Sequence, residues 1–461
     1  MAQSITEFQN VPVGKLVFKL GFPAMFAQFL NVLYSIVDRF FVGQIDGSGE
    51  LALAAIGVCA PAVTAISAFA FMVGIGGSSI MSMKLGEKQP EKAQSALNNG
   101  FLLLLVLSVL VTVCALIWER PLLFLLGCSE EMYPFAKDYF SIYVCGTAAV
   151  LIGTGLNHYI LALGLARQGM FTVSLGAVVN IVFDPILIFC FHLGIKGAAI
   201  ATVLGQISTL IYVLILICKK EMPIHLKLGS YRLRMMKDIL SIGSMSFIIT
   251  LLDNLIVIFL NIVLRRYSSP EMGDKYIACA AVVQSFMLIA GLPAQGICSG
   301  CGTIFSFFYG AKDYKKIQQA FRYLLLFCMA FMGLLFLAVQ ILPESFAGLF
   351  LKEPSTIEIA SAALKKYTYM LPCIAVQFAF VQGMTSMGKI AYAFPMSVFR
   401  KVLYIVLVFT LPIFTKIENV FYSGSISDFL GAAFTLALFI FAAAPKLKKE
   451  LLINTSIKET R

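Results

Sequence analysis

The sequence predicts an all-α membrane protein, with twelve transmembrane helices forming two six-helix bundles as a parallel 6+6 repeat around a central cavity. Three observations predict it. Hydrophobic residues make up 59% of the 461 residues and charged residues only 13%, against roughly 25% in an average soluble domain. Twelve apolar stretches approach or exceed the roughly 20 residues that a spanning helix needs. The second half also repeats polar residues of the first at a single offset.

The twelve stretches lie near 16–42, 51–83, 95–118, 134–161, 169–191 and 194–218, then 237–264, 276–308, 320–342, 359–386, 391–414 and 420–444. Their apolar runs are unbroken, which excludes an outer-membrane barrel, whose strands alternate apolar and polar residues. Several exceed 25 residues and are expected to tilt, bend or extend beyond the bilayer. The polar opening MAQSITEFQN lacks a basic n-region, so the first stretch reads as a spanning helix rather than a cleavable signal peptide.

The repeat is legible in the loops. GIGGSSIMSMKLGEKQPEKAQSA from Gly74 corresponds to CSGCGTIFSFFYGAKDYKKIQQA from Cys298. An offset of 224 pairs Gly76 with Gly300, Gly86 with Gly310, Lys88 with Lys312, Lys92 with Lys316, Gln94 with Gln318 and Gly164 with Gly388. The expected organisation is an amino-terminal lobe at 1–218, a basic cytoplasmic linker at 219–236, a carboxy-terminal lobe at 237–445 and a cytoplasmic tail at 446–461.

The net charge of +11 is a topology signal. With the termini and the even-numbered loops on one side, that side holds 22 Lys and Arg against 11 on the other. Basic loops stay in the cytoplasm, so both termini are expected there, in a multi-pass protein of the plasma membrane. The richest segment is the linker KKEMPIHLKLGSYRLRMMK (Lys219–Lys237). Nucleic acid is not an expected partner. The 11 cysteines mostly sit in apolar runs and read as small buried hydrophobes rather than a disulfide framework.

Ionisable groups within a bilayer are costly and mark function by default. Assigning the other acids to loops and helix ends leaves three: Asp38, Asp184 and Asp253. Asp38 lies late in the first stretch, beside Arg39, with which an interfacial pair is the plainer alternative. Asp184 lies four residues after Asn180, on one helix face, and directly before Pro185, which kinks a helix. It either serves a cation or merely satisfies the broken helix. Asp253 lies about ten residues into the seventh stretch and is either functional or a structural contact between helices. Arg400 sits inside the eleventh stretch and could meet an acid, a substrate anion or a lipid headgroup. Its neighbour Lys401 could snorkel to the interface.

Cys298-Ser-Gly-Cys301 lies in a Gly-rich run whose Gly296 and Gly300 favour close helix packing. No Walker motif and no H-E-x-x-H appears. The expectation is a non-enzymatic transporter, either driven by an ion gradient or passive. The 19 Met and 40 Phe suit an adaptable apolar cavity.

LGFPAMFAQFLNVLYSIVDRFFVGQI, the KLGEKQPEKA loop and NIVFDPILIFCFHLGIKGAAIATVLGQ give the chain its resemblance to the multidrug and toxic compound extrusion (MATE) family, most of all to its bacterial drug-efflux branch. The resemblance covers essentially the whole chain. It implies a secondary active efflux transporter that exchanges H⁺ or Na⁺ for organic cations by alternating access in a bacterial inner membrane. It further implies a coupling site at Asp38, Asn180 and Asp184, with Asn157, Tyr139 and Thr202 as polar supports. Na⁺ at Asp38, Asn180 and Asp184 would be the only metal, with no cofactor beyond the coupling ion. Asp253 matches a second-lobe acid of some members, but Val376 stands where those members carry another. The expected partners are cationic amphipathic small molecules and membrane lipid, for a monomer. The alternative is a lipid-linked oligosaccharide flippase of the same superfamily. Such a protein would want a basic cavity, and three intramembrane acids against Arg400 and Lys401 favour a cationic substrate.

Overall fold

A computed structural model describes residues 10–45, 49–219, 222, 224–227, 229–268, 270–351 and 353–450. Most of the expected tail, from residue 451, and linker residues 220, 221, 223 and 228 lie outside the described residues. The first half comprises α1 (Val13–Gly43), α2 (Gly49–Gly86), α3 (Pro90–Ile117), the short α4 (Glu119–Leu125), α5 (Tyr133–Cys145), α6 (Thr147–Ala162), α7 (Ala166–Pro185) and α8 (Ile195–Ile217). The second comprises α9 (Leu233–Tyr267), α10 (Pro270–Ala311), α11 (Tyr314–Ile341), the short α12 (Pro343–Ala347), α13 (Pro354–Thr368), α14 (Leu371–Ser386), α15 (Ile390–Phe414) and α16 (Tyr422–Leu438).

All twelve stretches are helical, but two are broken. The fourth is α5 and α6, bent by 53° at Gly146. The tenth divides into α13 and α14 around Tyr369 and Met370. Among the described residues ten helices are long and apolar enough to cross a membrane, or eleven with the bent α5–α6 pair taken as one span. The tenth stretch fails because α13 carries Glu358, Lys365 and Lys366 and α14 has only 16 residues. The fold is all-α, as expected, and consistent with two six-helix bundles.

The repeat extends to the backbone. Lys88 and Lys312, 224 residues apart, both adopt the left-handed conformation (φ 60° and 62°), which non-glycine residues seldom occupy. Gly164 and Gly388 match likewise at φ 81° and 71°. The break at Gly146 meets the break at Met370 at the same spacing.

The chain forms two compact units, Lys19–Thr250 and Leu251 onward together with Pro12–Phe18. They part within α9 rather than at the linker. Gly243 explains the assignment of the first part of α9: a Cβ there would lie 1.7 Å from the Met72 carbonyl oxygen of α2. Only glycine permits that approach, and the Phe69 and Phe247 rings close the same contact at 4.8 Å.

The linker is laid along the start of α3 by side-chain amides. Gln94 bonds His225 in both directions, accepting from its N–H at 3.3 Å. Asn98 accepts from the Lys227 N–H at 3.2 Å and donates to the Gly229 carbonyl at 3.3 Å. Asn99, fully buried, accepts from the Arg232 N–H at 2.8 Å and donates to the Ser230 carbonyl at 3.2 Å. Backbone groups that lack a ladder partner are thereby satisfied.

Exposed apolar stripes complete the picture. On α3, Val106, Val109, Leu110, Val113 and Ile117 are exposed at helical spacing, while Leu97, Leu104, Ser108 and Val111 are buried on the other face. Water would penalise such a stripe; acyl chains do not.

Candidate functional site

Helix contact builds the first polar cluster. α7 and α8 approach through Gly176 and Gly205, where a Cβ on Gly205 would stand 2.6 Å from the Gly176 carbonyl oxygen and 3.4 Å from the Asn180 Cβ. This approach sets Thr202, on the preceding turn of α8, against Asn180. The Asn180 amide lies 3.4 Å from Asp184 Oδ1, its i+4 neighbour, and 3.3 Å from Thr202 Oγ1. Beyond Pro185 the helix widens into a π-helical turn, Ile186–Cys190. Gly197 of α8 packs on that turn, and a Cβ there would be 2.7 Å from the Leu187 carbonyl carbon.

Asp38 joins this cluster from α1. Its carboxyl lies within hydrogen-bonding reach of the Asp184 carboxyl. Asp38 is 8% exposed and Asp184 fully buried. Two carboxylates held this closely away from water need a proton or a cation between them. Asp38 Oδ1 has no hydrogen-bond partner among the described residues. Tyr34, one turn before Asp38 on α1, and Tyr139 of α5 are both near enough to feel the Asp38 charge. Tyr139 stacks on Tyr143 at 6.4 Å.

Five of the six residues expected in the amino-terminal site therefore converge: Asp38, Asn180, Asp184, Thr202 and Tyr139. Asn157 does not join them. It sits on α6 opposite Gly169, where a Cβ would meet its Oδ1 at 3.3 Å. Gly169 precedes Asp184 by 15 residues, about 22 Å along a helix. Tyr34 was missed, although its i–4 spacing from Asp38 places it on the same face. The converging donors are oxygens, the kind that hard cations prefer. No cluster of three or more His, Cys, Asp or Glu occurs among the described residues.

The second cluster lies in the carboxy-terminal half. Arg400 of α15 donates from Nη1 to Asp428 Oδ1 of α16 at 2.9 Å. Lys401, the next residue, pairs with Asp253 of α9. Snorkelling of Lys401 is overturned: its side chain is 4% exposed, while that of Asp253 is 49% exposed. The buried ammonium reaches the Asp253 carboxylate, and charge pairing offsets part of its desolvation. Arg400 resolves to an acid partner that the sequence reading placed at a helix end. Asp428 lies within α16 and is 2% exposed. A buried arginine was the available signal, because it requires an anion. Gln377, next to Val376, is buried and donates to the Met396 carbonyl at 2.8 Å, so it is occupied by backbone.

The Cys298–Cys301 spacing builds no site. Cys298 instead faces Cys328 of α11 at 3.6 Å between sulfurs, and Cys301 points to the Val17 carbonyl at 3.4 Å.

Known proteins align with this architecture along nearly its whole length. The chain is 23% identical over 457 residues to the multidrug export protein MepA of Staphylococcus aureus (strain MRSA252), covering 97% of each chain. Its fold matches a crystal structure of MATE in complex with MaL6, with a TM-score of 0.91 at 21% identity, covering 97% of this chain and 100% of that one. It also matches the outward-facing conformation of a multidrug resistance MATE family transporter of the MOP superfamily, with a TM-score of 0.90 at 21% identity, covering 96% and 98%. The MatE family profile matches twice, at residues 23–186 and 246–410, once in each half. With most of the chain matched in duplicate on a twelve-stretch helical fold, the protein belongs to the MATE family of membrane transporters.

Proposed function

We propose that the protein is a secondary active efflux transporter that exports organic cations in exchange for H⁺ or Na⁺. The reading is carried by one observation: the buried Asp38 and Asp184 carboxyls face each other beside Asn180 and Thr202. This oxygen-rich pocket stores a proton or Na⁺ when charge compensation is needed and releases it when a cation elsewhere takes over that role. The work comes from the ion gradient, and alternating access couples the two fluxes. Family membership and the multidrug export activity named for MepA support drug-like cations as cargo. The basic loop asymmetry supports cytoplasmic termini in a bacterial inner membrane. The flippase reading is not favoured, because Arg400 and Lys401, the basic residues inside a spanning stretch that it would call on, are each paired with an acid.

Ethidium export from energised vesicles, driven separately by a pH gradient and a Na⁺ gradient, tests the proposal. One gradient should drive export, and Asp38→Asn and Asp184→Asn should each abolish drug-stimulated ion release. Full coupled export in both variants would overturn the site, and failure of both gradients in the parent would overturn the function.

A further inference from the structure

The carboxy-terminal cluster has an arrangement that the first cluster lacks. Four charges, two of each sign, meet on three helices. Arg400 and Lys401 are consecutive on α15, so one helix reaches α16 with the first and α9 with the second. Arg400 also feels the Asp253 charge. Behind it the packing is close: a Cβ on Gly431 would lie 3.0 Å from the Arg400 Cβ. The Lys401 side chain is almost entirely enclosed, yet half of the Asp253 side chain is exposed.

An acid in a spanning segment, open on one side and met by an ammonium on the other, is a cation site whose occupant is covalently attached. We infer that Lys401 is the resident cation of the carboxy-terminal lobe: its Nζ fills, at Asp253, the place that a free cation would otherwise take. Asp253 is then a latent cation site rather than a second coupling site, and this part of the lobe needs no ion from solution. The inference rests on the transport reading only for that last consequence; the occupancy itself concerns Asp253 and Lys401 alone.

If Lys401 is a tethered cation, its removal creates a site that a free cation of the same shape can enter. Lys401→Ala deletes three methylenes and the ammonium, which n-propylammonium restores. The experiment uses the purified full chain in detergent and reads the thermal midpoint, so it stands whether or not the protein exports anything. Lys401→Ala should lower the midpoint, and n-propylammonium at tens of millimolar should recover at least half of the loss, while N-methylglucamine at equal ionic strength recovers none. The parent and Asp253→Asn/Lys401→Ala should not respond. Absence of recovery in Lys401→Ala, or equal recovery in the double variant, overturns the inference. Should Lys401→Ala not accumulate folded, Lys401→Met is compared with Asp253→Asn/Lys401→Met. A higher midpoint in the double variant supports the pairing, and an equal or lower one overturns it.

Discussion

Arg400 and Asp428 form an ion pair at 2.9 Å in which the acid is 2% exposed and the arginine side chain 14%. The pair joins α15 to α16 inside an apolar bundle. Removing one partner strands the other, which costs about 3–5 kcal/mol for a buried pair. Asp428→Ala should therefore lower the unfolding free energy by that amount. Arg400→Met/Asp428→Leu should recover most of it, because apolar groups of similar volume need no compensation. Thermal unfolding of the purified variants in detergent checks both.

The approach of α7 to α8 depends on two absent side chains. Gly205→Leu would drive a Cβ into the Gly176 carbonyl, and the helices would separate by at least the missing contact distance. The Asn180–Thr202 contact at 3.3 Å would then be lost. Ion-driven ethidium export should fall by at least tenfold, the cost of about 1.4 kcal/mol in coupling. Gly205→Ala should be milder. Export rates normalised to the amount of folded protein check the order.

Asn99 holds the linker through both its amide atoms, and it also donates to Ser95. Asn99→Leu removes the acceptor of the Arg232 N–H and leaves the Ser230 carbonyl with the Ser95 hydroxyl alone, at about 1 kcal/mol for each lost bond. Local opening of the linker should become more frequent. Trypsin cleavage at Lys227, Arg232 or Arg234 should accelerate by about tenfold or more, while cleavage elsewhere is unchanged. Timed proteolysis with mass spectrometry of the fragments reads this directly.

Glu353 caps the start of α13 from outside the spanning segments. Hydrogen bonds from Lys275, Ser355 and Thr356 hold its carboxyl down at about 2, below the ordinary 4.5. Because the folded state binds the proton less readily than the unfolded state, its contribution is present above pH 4.5 and is lost as the pH falls toward 2. Glu353→Gln should flatten the acid limb of the stability profile over that window by lowering the neutral plateau, with parent and variant converging toward pH 2. Thermal midpoints from pH 2 to 7 test the sign.

The elements that were legible in the sequence share a physical origin. Long apolar runs, basic loops and acids within them report on the solvent that each residue meets, and solvent preference is local. Asp38, Asp184 and Asn180 were found on this basis, and helical spacing placed Asn180 beside Asp184. What escaped depends on helices packing against one another. Asp428 sits among Ser and Gly near the start of the last stretch, where composition reads as a helix end. Lys401 turns inward and pairs with Asp253, a contact between helices that single-helix reasoning does not reach. Asn157 looked like a support for the acids, but its depth along α6 sets it far from them. The break at Tyr369 and Met370 replaces one expected helix with two, and Lys365, Lys366 and Pro372 beside it were the available signals.

The charges of Arg400, Lys401, Asp253 and Asp428 sum to zero as paired. A membrane voltage does about 2.3 kcal/mol of work per elementary charge for each 100 mV crossed. A cluster without net charge takes up none of that work, whichever way it shifts along the field. Among the described residues no ion pair joins Asp38 or Asp184 to a basic side chain, so their occupancy determines how much charge they carry. Electrical sensitivity of the transport cycle is thus expected to originate at α1 and α7, with the carboxy-terminal ion pairs electrically silent.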